Sequence, residues 1–149
     1  MAQSIASGAG DLPDLNVWLA LLNANHPHHG AAKNYWDSLA GARMFFCRIT
    51  MLGLLRLSTN KAVMGGVPYT TAEAWQAYRK VAAMAEVGFV AEPLGIESAM
   101  EQLTQSKGFT HADWTDAYLA GFARVAGLRL VTFDSGFFKY KDLSWQLLA

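Results

Sequence analysis

The chain has 149 residues, of which 52% are hydrophobic and 16% charged, and its formal net charge is zero. This length fits one domain, and the composition excludes a disordered chain because it supplies enough apolar side chains for a core. No apolar run approaches the roughly 20 residues of a membrane-spanning helix, and the neutral charge gives nucleic-acid binding no support, since such proteins usually carry a basic excess.

The first residues and the cysteine content bear on domain limits and location. Residues 1–10 are small and polar and lack the basic and apolar regions of a signal peptide. We therefore expect a flexible arm or a vector-derived remnant there, ahead of a domain over residues 11–149. Cys47 is the only cysteine, which excludes an intrachain disulfide and a thiolate metal cluster and fits a reducing cytoplasm.

Short apolar runs alternate with helical stretches along the chain, a pattern that favours an α/β fold with a parallel sheet. A very short first strand ends at Pro13, and further strands are predicted over residues 44–47, 87–90, 128–133 and, at an edge, 143–147. Helices are predicted over residues 17–22, 31–39, 50–57, 71–84, 96–103 and 110–127. Thr71 is the expected N-cap of the fourth helix and Gly127 the C-cap of the last.

Two aspartates come directly after predicted strands. Asp14 follows the first strand, Asp134 follows the last strong one, and Asp116 lies early in the helix that leads into that strand. In open α/β sheets, sites form beyond the carboxyl ends of strands. The three acids would therefore converge if their strands are neighbours, although each alone is more often a cap.

Three carboxylates in one cleft repel each other unless a cation neutralises them. Mg²⁺ suits such a site because it takes one or two protein carboxylates, keeps several waters and uses substrate phosphate for the rest. A metal held in this way can ionise a water and stabilise charge on a phosphodiester. The acids thus indicate phosphodiester hydrolysis. Asp113 fits a capping box with Thr110 and is a cap first and an auxiliary acid second.

Three segments around these acids resemble motifs of the PIN-domain family, specifically its VapC-type toxins. Residues 12–18 (LPDLNVW) are similar to the family's first-strand motif, residues 114–120 (WTDAYLA) to its third motif, and residues 130–137 (LVTFDSGF) to its last. Each motif alone is weak, but their order and spacing together are fairly specific. The resemblance covers residues 12–138.

The resemblance implies a three-layer α/β/α fold around a short parallel sheet and a Mg²⁺- or Mn²⁺-dependent endoribonuclease. It also implies a homodimer, an RNA substrate and a cognate antitoxin. The residues that it assigns to metal binding and catalysis are Asp14, Asp116 and Asp134. The residues that would orient those carboxylates or waters are Asn16, Thr132 and Ser135.

One departure from the family concerns its second motif, where a Glu is usual and Gly53 stands here. A missing carboxylate should weaken metal affinity. Arg56 and Asn60 follow and are candidates for RNA contact. A catalytically degenerate PIN-like module that only binds RNA or an antitoxin therefore stays open. A phosphatase of the haloacid dehalogenase type is a weaker alternative. Residues 14–16 (DLN) resemble that family's first motif, but Asn16 stands where the family has a second Asp.

Overall fold

The structure is a computed structural model that describes residues 10–149. Its sheet consists of five short strands. These are β1 (Asp11–Pro13), β2 (Met44–Phe46), β3 (Val87–Phe89), β4 (Arg129–Thr132) and β5 (Trp145–Leu147). Their order is β3-β2-β1-β4-β5, and every neighbouring pair is parallel. The predicted parallel sheet with its edge strand is confirmed.

Six helices connect the strands. They are α1 (Leu15–Leu22), α2 (His29–Asp37), α3 (Arg48–Ser58), α4 (Thr71–Ala82), α5 (Ile96–Leu103) and α6 (Trp114–Ala126). Two short 3-10 turns, His111–Asp113 and Ser135–Lys139, flank the start of α6 and the end of β4. Gly127 ends α6 with a left-handed φ of 70°, the conformation that the C-cap prediction required.

Successive side chains of a strand point to opposite faces of the sheet, and each face is covered by helices. Leu12 and Leu130 pack with α5 and α6 on one face, while Met44 and Val131 pack with the four other helices on the opposite face. Both faces are apolar, so neither could be left to solvent. The result is the predicted three-layer α/β/α arrangement.

The N-cap of α4 is Thr70, so the prediction of Thr71 was wrong by one residue. The Thr70 hydroxyl accepts a hydrogen bond from Glu73 N at 3.1 Å, and Glu73 Oε1 accepts one from Thr70 N at 2.8 Å. Either threonine can cap, but a capping box needs the acid three residues later, and that spacing selects Thr70.

The last residue of the expected N-terminal arm packs against the sheet. Gly10 is buried, and its carbonyl accepts a hydrogen bond from Arg129 N at 3.1 Å. The remainder of the expected N-terminal arm, residues 1–9, lies outside the described residues. None of the helices in residues 10–149 has both the length and the apolarity to span a membrane.

Candidate active site at the carboxyl edge of the sheet

The carboxyl ends of β1 and β4 lie side by side at the point where the strand order reverses. From β1 the chain continues to β2 and β3 on one side, while β4 and β5 occupy the other. Such switch points are where open α/β sheets bind ligands. Asp14 follows β1 directly and Asp134 lies just beyond β4. The two strands are neighbours, as convergence of these acids requires.

The carboxylate of Asp14 is held by one hydrogen bond on each oxygen. Oδ1 accepts from Leu15 N at 2.7 Å, which makes Asp14 the N-cap of α1, and Oδ2 accepts from the Thr132 hydroxyl at 2.8 Å. The side chain is almost fully buried, and burial raises the pKa of Asp14, although these two hydrogen bonds oppose the rise. Each oxygen keeps a further lone pair for a ligand.

Thr132 connects the two strand ends through a single hydroxyl. Besides donating to Asp14, its Oγ1 accepts from Asp134 N at 3.0 Å and from Asn16 Nδ2 at 3.4 Å. Thr132 is fully buried, so no solvent can replace these partners. Thr132 therefore contacts the Asp14 carboxylate directly, whereas Asn16 is linked to it only through Thr132.

Thr132→Val is expected to lower the free energy of unfolding by about 1–3 kcal/mol, because it leaves buried polar groups without a partner. It should also raise the pKa of Asp14, since a hydrogen bond that lowers this pKa is lost. Urea unfolding and a carboxyl NMR titration measure the two effects. Thr132→Ser keeps the hydroxyl and should preserve the Asp14 pKa. Equal pKa changes in both variants would contradict the role of the hydroxyl.

Asp116 lies in the first turn of α6 and lines a cleft of about 330 Å³ together with Asp14, Gly53 and Arg56. Burial is the largest cause of a rise in its pKa to about 6, and the charges of Asp14, Asp134 and Asp113 add to it, in that order. The negative charges of the acidic site therefore act together on Asp116.

Asp134 is not among the described residues that line this cleft, but its backbone N–H donates to Thr132, which holds Asp14. The Asp134 carboxylate is exposed and accepts a hydrogen bond from Gly136 N at 2.8 Å, which begins the second 3-10 turn. Its charge raises the pKa of both Asp14 and Asp116. Within the described residues, the cleft lining itself includes Asp14 and Asp116 but not Asp134.

Two further predicted residues lie beside the acids. Asn16 Oδ1 accepts a hydrogen bond from Phe133 N at 3.4 Å, which ties the start of α1 to the segment that carries Asp134. Ser135 is exposed at the start of the 3-10 turn, and its hydroxyl has no hydrogen-bond partner in the described part of the chain. Asn16 is thus held by hydrogen bonds, whereas Ser135 is only the sequence neighbour of Asp134.

The two residues proposed for RNA contact occupy different surroundings. Arg56 lines the acidic cleft and is the only basic residue among its described lining. Asn60 caps a turn, since its Oδ1 accepts from Ala62 N at 2.9 Å and from Val63 N at 3.2 Å. Of these two residues, only Arg56 lines the cleft that contains Asp14 and Asp116.

Asp113 is a cap, as its spacing from Thr110 predicted. Its Oδ2 accepts from Thr110 N at 2.9 Å, and its Oδ1 pairs with Lys139 Nζ at 2.9 Å. These bonds lower the pKa of Asp113, with the Lys139 hydrogen bond as the first cause. Asp113 contributes charge near Asp116 while its own carboxylate is already engaged.

Gly53 lies on the cleft wall, where α3 meets the start of α1. A Cβ at Gly53 would lie 2.6 Å from Leu15 Cδ2 and 3.1 Å from Leu15 Cδ1. The absence of a side chain thus allows α3 to approach the residue that follows Asp14. No acid occurs in α3, so the carboxylates at this cleft come from other elements.

Gly53→Ala is expected to lower the free energy of unfolding by about 0–2 kcal/mol, because overpacking against Leu15 costs about 1–3 kcal/mol while Ala is about 1 kcal/mol better than Gly in a helix interior. Urea unfolding of Gly53→Ala, Leu15→Ala and the double variant measures this. Truncation of Leu15 makes room, so the Gly53→Ala cost should shrink in the double variant. A cost that is unchanged by Leu15→Ala would show that the contact is not its source.

The cleft also has features that motif reading did not single out. Thr115 lines it next to Asp116, while Ile49, Leu52 and Leu119 form an apolar wall. Ile49 and Leu52 are partly exposed, at 38% and 52%. Their spacing of three residues on α3 is the signal that could have placed both on one helix face.

The donor set of this cleft fits a hard divalent cation. Among residues 10–149, no three His, Cys, Asp or Glu side chains are grouped closely enough to hold a metal by themselves. Mg²⁺, however, commonly uses one or two carboxylates and completes its shell with water and phosphate. Asp14 and Asp116 supply two carboxylates in one cleft, and the raised pKa of each is what a nearby cation would oppose.

Comparison with known proteins gives consistent matches. The family model described as "PIN domain" matches residues 12–143. The chain is 38% identical over 143 residues to Ribonuclease VapC41 of Mycobacterium tuberculosis, covering 93% of this chain and 98% of that protein. It is 32% identical over 130 residues to Ribonuclease VapC38 of the same species, covering 85% and 86% respectively.

Two solved structures share the fold. VapBC2 from Rickettsia felis, solved bound to a DNA fragment from its promoter, gives a TM-score of 0.71 at 14% identity and covers 93% of this chain and 98% of that one. VapC20 of Mycobacterium tuberculosis, described as a Sarcin-Ricin loop cleaving toxin, gives a TM-score of 0.64 at 18% identity, with coverages of 87% and 93%. At these identities the likeness concerns the fold alone.

Proposed function

Because this chain belongs to the PIN-domain family and, within it, to the VapC-type ribonucleases, we propose that it is a metal-dependent endoribonuclease and the toxin of a toxin–antitoxin pair. One observation carries the proposal at the level of residues. Asp14 and Asp116 line the same cleft at the sheet switch point, and the charge of Asp134 acts on both of them. Membership of this family and the acidic cleft both favour an RNA phosphodiester as the substrate.

In this proposal Asp14 and Asp116, with Asp134 as the third acid of the cluster, would hold Mg²⁺ or Mn²⁺. The metal, when bound, lowers the pKa of a water and stabilises negative charge on the phosphodiester. Thr132 fixes the Asp14 carboxylate by its hydrogen bond of 2.8 Å. Arg56, on the cleft wall, would bind a phosphate oxygen, since its guanidinium presents paired N–H donors.

The proposed partners follow from the same family. VapBC2 of Rickettsia felis, which shares the fold, was solved bound to a DNA fragment from its promoter, and this supports a cognate antitoxin for the present chain. A homodimer and a cytoplasmic location, where cellular RNA is available, belong to the proposal. Light scattering of the purified toxin and of its antitoxin complex tests the stoichiometry, and a monomeric toxin at all concentrations would contradict the dimer.

Metal-dependent cleavage is the expected result when the purified protein meets structured RNA with Mg²⁺ or Mn²⁺. Excess EDTA should stop it, and Asp14→Asn should reduce it by more than about 100-fold, because even indirect partners of metal ligands cost about 10- to 100-fold. Asp37→Asn, an exposed acid on α2, is the matched control and should cleave normally. Cleavage that persists in EDTA would refute the metal-dependent mechanism.

A degenerate binding module is the second candidate, and the absence of an acid from α3 at Gly53 favours it. The two functions separate in one preparation. RNA binding without cleavage under any metal supports the module, whereas cleavage that Asp14→Asn abolishes supports the enzyme.

A further inference from the structure

A second cavity, of about 340 Å³, lies between the end of α5, the side of α6 and the segment after the second 3-10 turn. We call it the basic cavity, because Arg124, Lys139 and Lys141 line it against a single acid, Asp142. This concentration of cations occurs in a chain whose formal net charge is zero. The proposed catalytic cleft has a different lining.

Two hydroxyl groups of the basic cavity have unmet hydrogen-bonding capacity. The Ser106 Oγ and the Tyr140 phenol oxygen are both buried and have no partner among the described residues, and Tyr140 as a whole is only 3% exposed. Buried polar groups without partners are rare and unfavourable in folded proteins. Each hydroxyl can donate one hydrogen bond, so a ligand rich in acceptor oxygens would satisfy both.

The basic cavity lies next to the acidic site. Lys139 belongs to its lining and pairs with Asp113 at 2.9 Å, immediately before the helix that carries Asp116. The charges of Asp116, Asp113 and Asp134 also add to the effect of burial in raising the pKa of Tyr140. A polymer that reaches the acids could therefore place a neighbouring group in the cavity.

We propose that the basic cavity binds a backbone phosphate of the RNA, next to the phosphodiester that is cleaved. Arg124 and Lys141 would neutralise the phosphate, and the Tyr140 and Ser106 hydroxyls, which are covered in the free protein, would donate to its oxygens once a local rearrangement uncovers them. Phosphate suits this lining because its negative charge pairs with the cations and its several oxygens accept hydrogen bonds from the donors. The proposal rests on the proposed RNA substrate but does not require that the chain cleave it.

The first test measures RNA binding in the Asp14→Asn background, without added metal, by fluorescence anisotropy of a single-stranded oligonucleotide at several salt concentrations. Arg124→Gln/Lys141→Gln should weaken binding about 10-fold or more at low salt. It should also reduce the slope of log K against log salt by about 0.7 for each lost contact. Arg79→Gln/Lys80→Gln, in the last turn of α4 on the opposite layer, removes the same number of positive charges and is the matched control. A double variant with the affinity and salt slope of this control would overturn the proposal.

The second test uses the unpaired hydroxyls. Tyr140→Phe should leave the melting temperature of the free protein unchanged or raise it, because the removed hydroxyl has no partner. It should weaken RNA binding about 3- to 10-fold. A melting temperature several degrees lower, with unchanged RNA affinity, would show that the fold or a trapped water already uses the hydroxyl, and would overturn its assigned role.

A third measurement separates the sources of phosphate and the two levels of proposal. Inorganic phosphate at millimolar concentration should compete weakly with RNA in the native chain and not in the double variant. Tight phosphate binding that does not displace RNA would assign the cavity to a free anion and refute the backbone contact. If the native chain cleaves RNA with a KM that the double variant leaves unchanged, the cavity proposal fails while the enzyme stands. If the native chain binds RNA through the basic cavity but does not cleave it, the cavity proposal stands and the enzyme proposal fails.

Discussion

Asp116→Asn is expected to abolish cleavage and, at the same time, to raise the melting temperature of the metal-free protein. The loss of activity should exceed about 100-fold, because the variant removes a carboxylate from the cleft proposed to hold the metal. The gain in stability has a separate cause, which lies in the pKa of the native residue.

The pKa of Asp116 is about 6 in the folded protein, against 3.8 for the unperturbed side chain, with burial as the main cause. The folded state therefore binds a proton more tightly than the unfolded state does, and this contribution to stability is complete below about pH 4. It is lost as the pH rises through about 6. At pH 7 the charged Asp116 destabilises the metal-free protein, by about 1 kcal/mol once solvent screening of a partly exposed group is allowed for.

Differential scanning calorimetry in EDTA at pH 4 to 8 measures this effect. Asp116→Asn should melt about 2–4 °C above the native chain at pH 7 and about equally at pH 4. Asp37→Asn removes an exposed acid and should not reproduce the gain. A variant that melts lower than the native chain at pH 7 would show that Asp116 stabilises the fold. It would contradict a destabilising effect of the Asp116 charge.

Arg129→Met is expected to lower the free energy of unfolding by about 2–4 kcal/mol. Arg129 Nε and Nη2 donate to the two carboxylate oxygens of Asp11 at 2.9 and 2.8 Å, and Tyr35 donates its hydroxyl to Asp11 Oδ2 at 2.6 Å. Asp11 is buried, so loss of the guanidinium leaves a charge in the protein with one partner. Breaking a buried pair costs about 3–5 kcal/mol, and the expected value is lower because the Arg129 side chain is 41% exposed.

Urea unfolding at pH 7 measures the Arg129 effect, with Lys33→Met as the matched control. Lys33 pairs with Asp37 on the surface of α2, both side chains being more than half exposed, and such pairs contribute about 0–1 kcal/mol. Asp11 and Arg129 begin their strands, at the edge of the sheet opposite the acids. Cleavage per folded molecule should therefore be unchanged. Equal losses in the two variants would contradict the structural role of Asp11.

Local features of this fold could be predicted because short-range chemistry decides them. The Thr110–Asp113 box and the Gly127 cap depend on residues at most a few positions apart. The wrong N-cap of α4 has the same local origin. Two threonines stand side by side, and the position of Glu73 three residues after Thr70 decides which of them is the cap.

The sequence by itself determined the alternation of strands and helices and the placement of Asp14 and Asp134 just beyond two strand ends. It could not determine that those strands are neighbours, because strand order depends on contacts between segments more than 100 residues apart, such as the Asp11–Arg129 pair. Only the tertiary structure decided that Thr132 holds Asp14, that Leu15 occupies the space beside Gly53, and that Arg124 and Lys141 line one cavity. Side-chain periodicity is a property of one element, whereas a site is a property of several elements packed together.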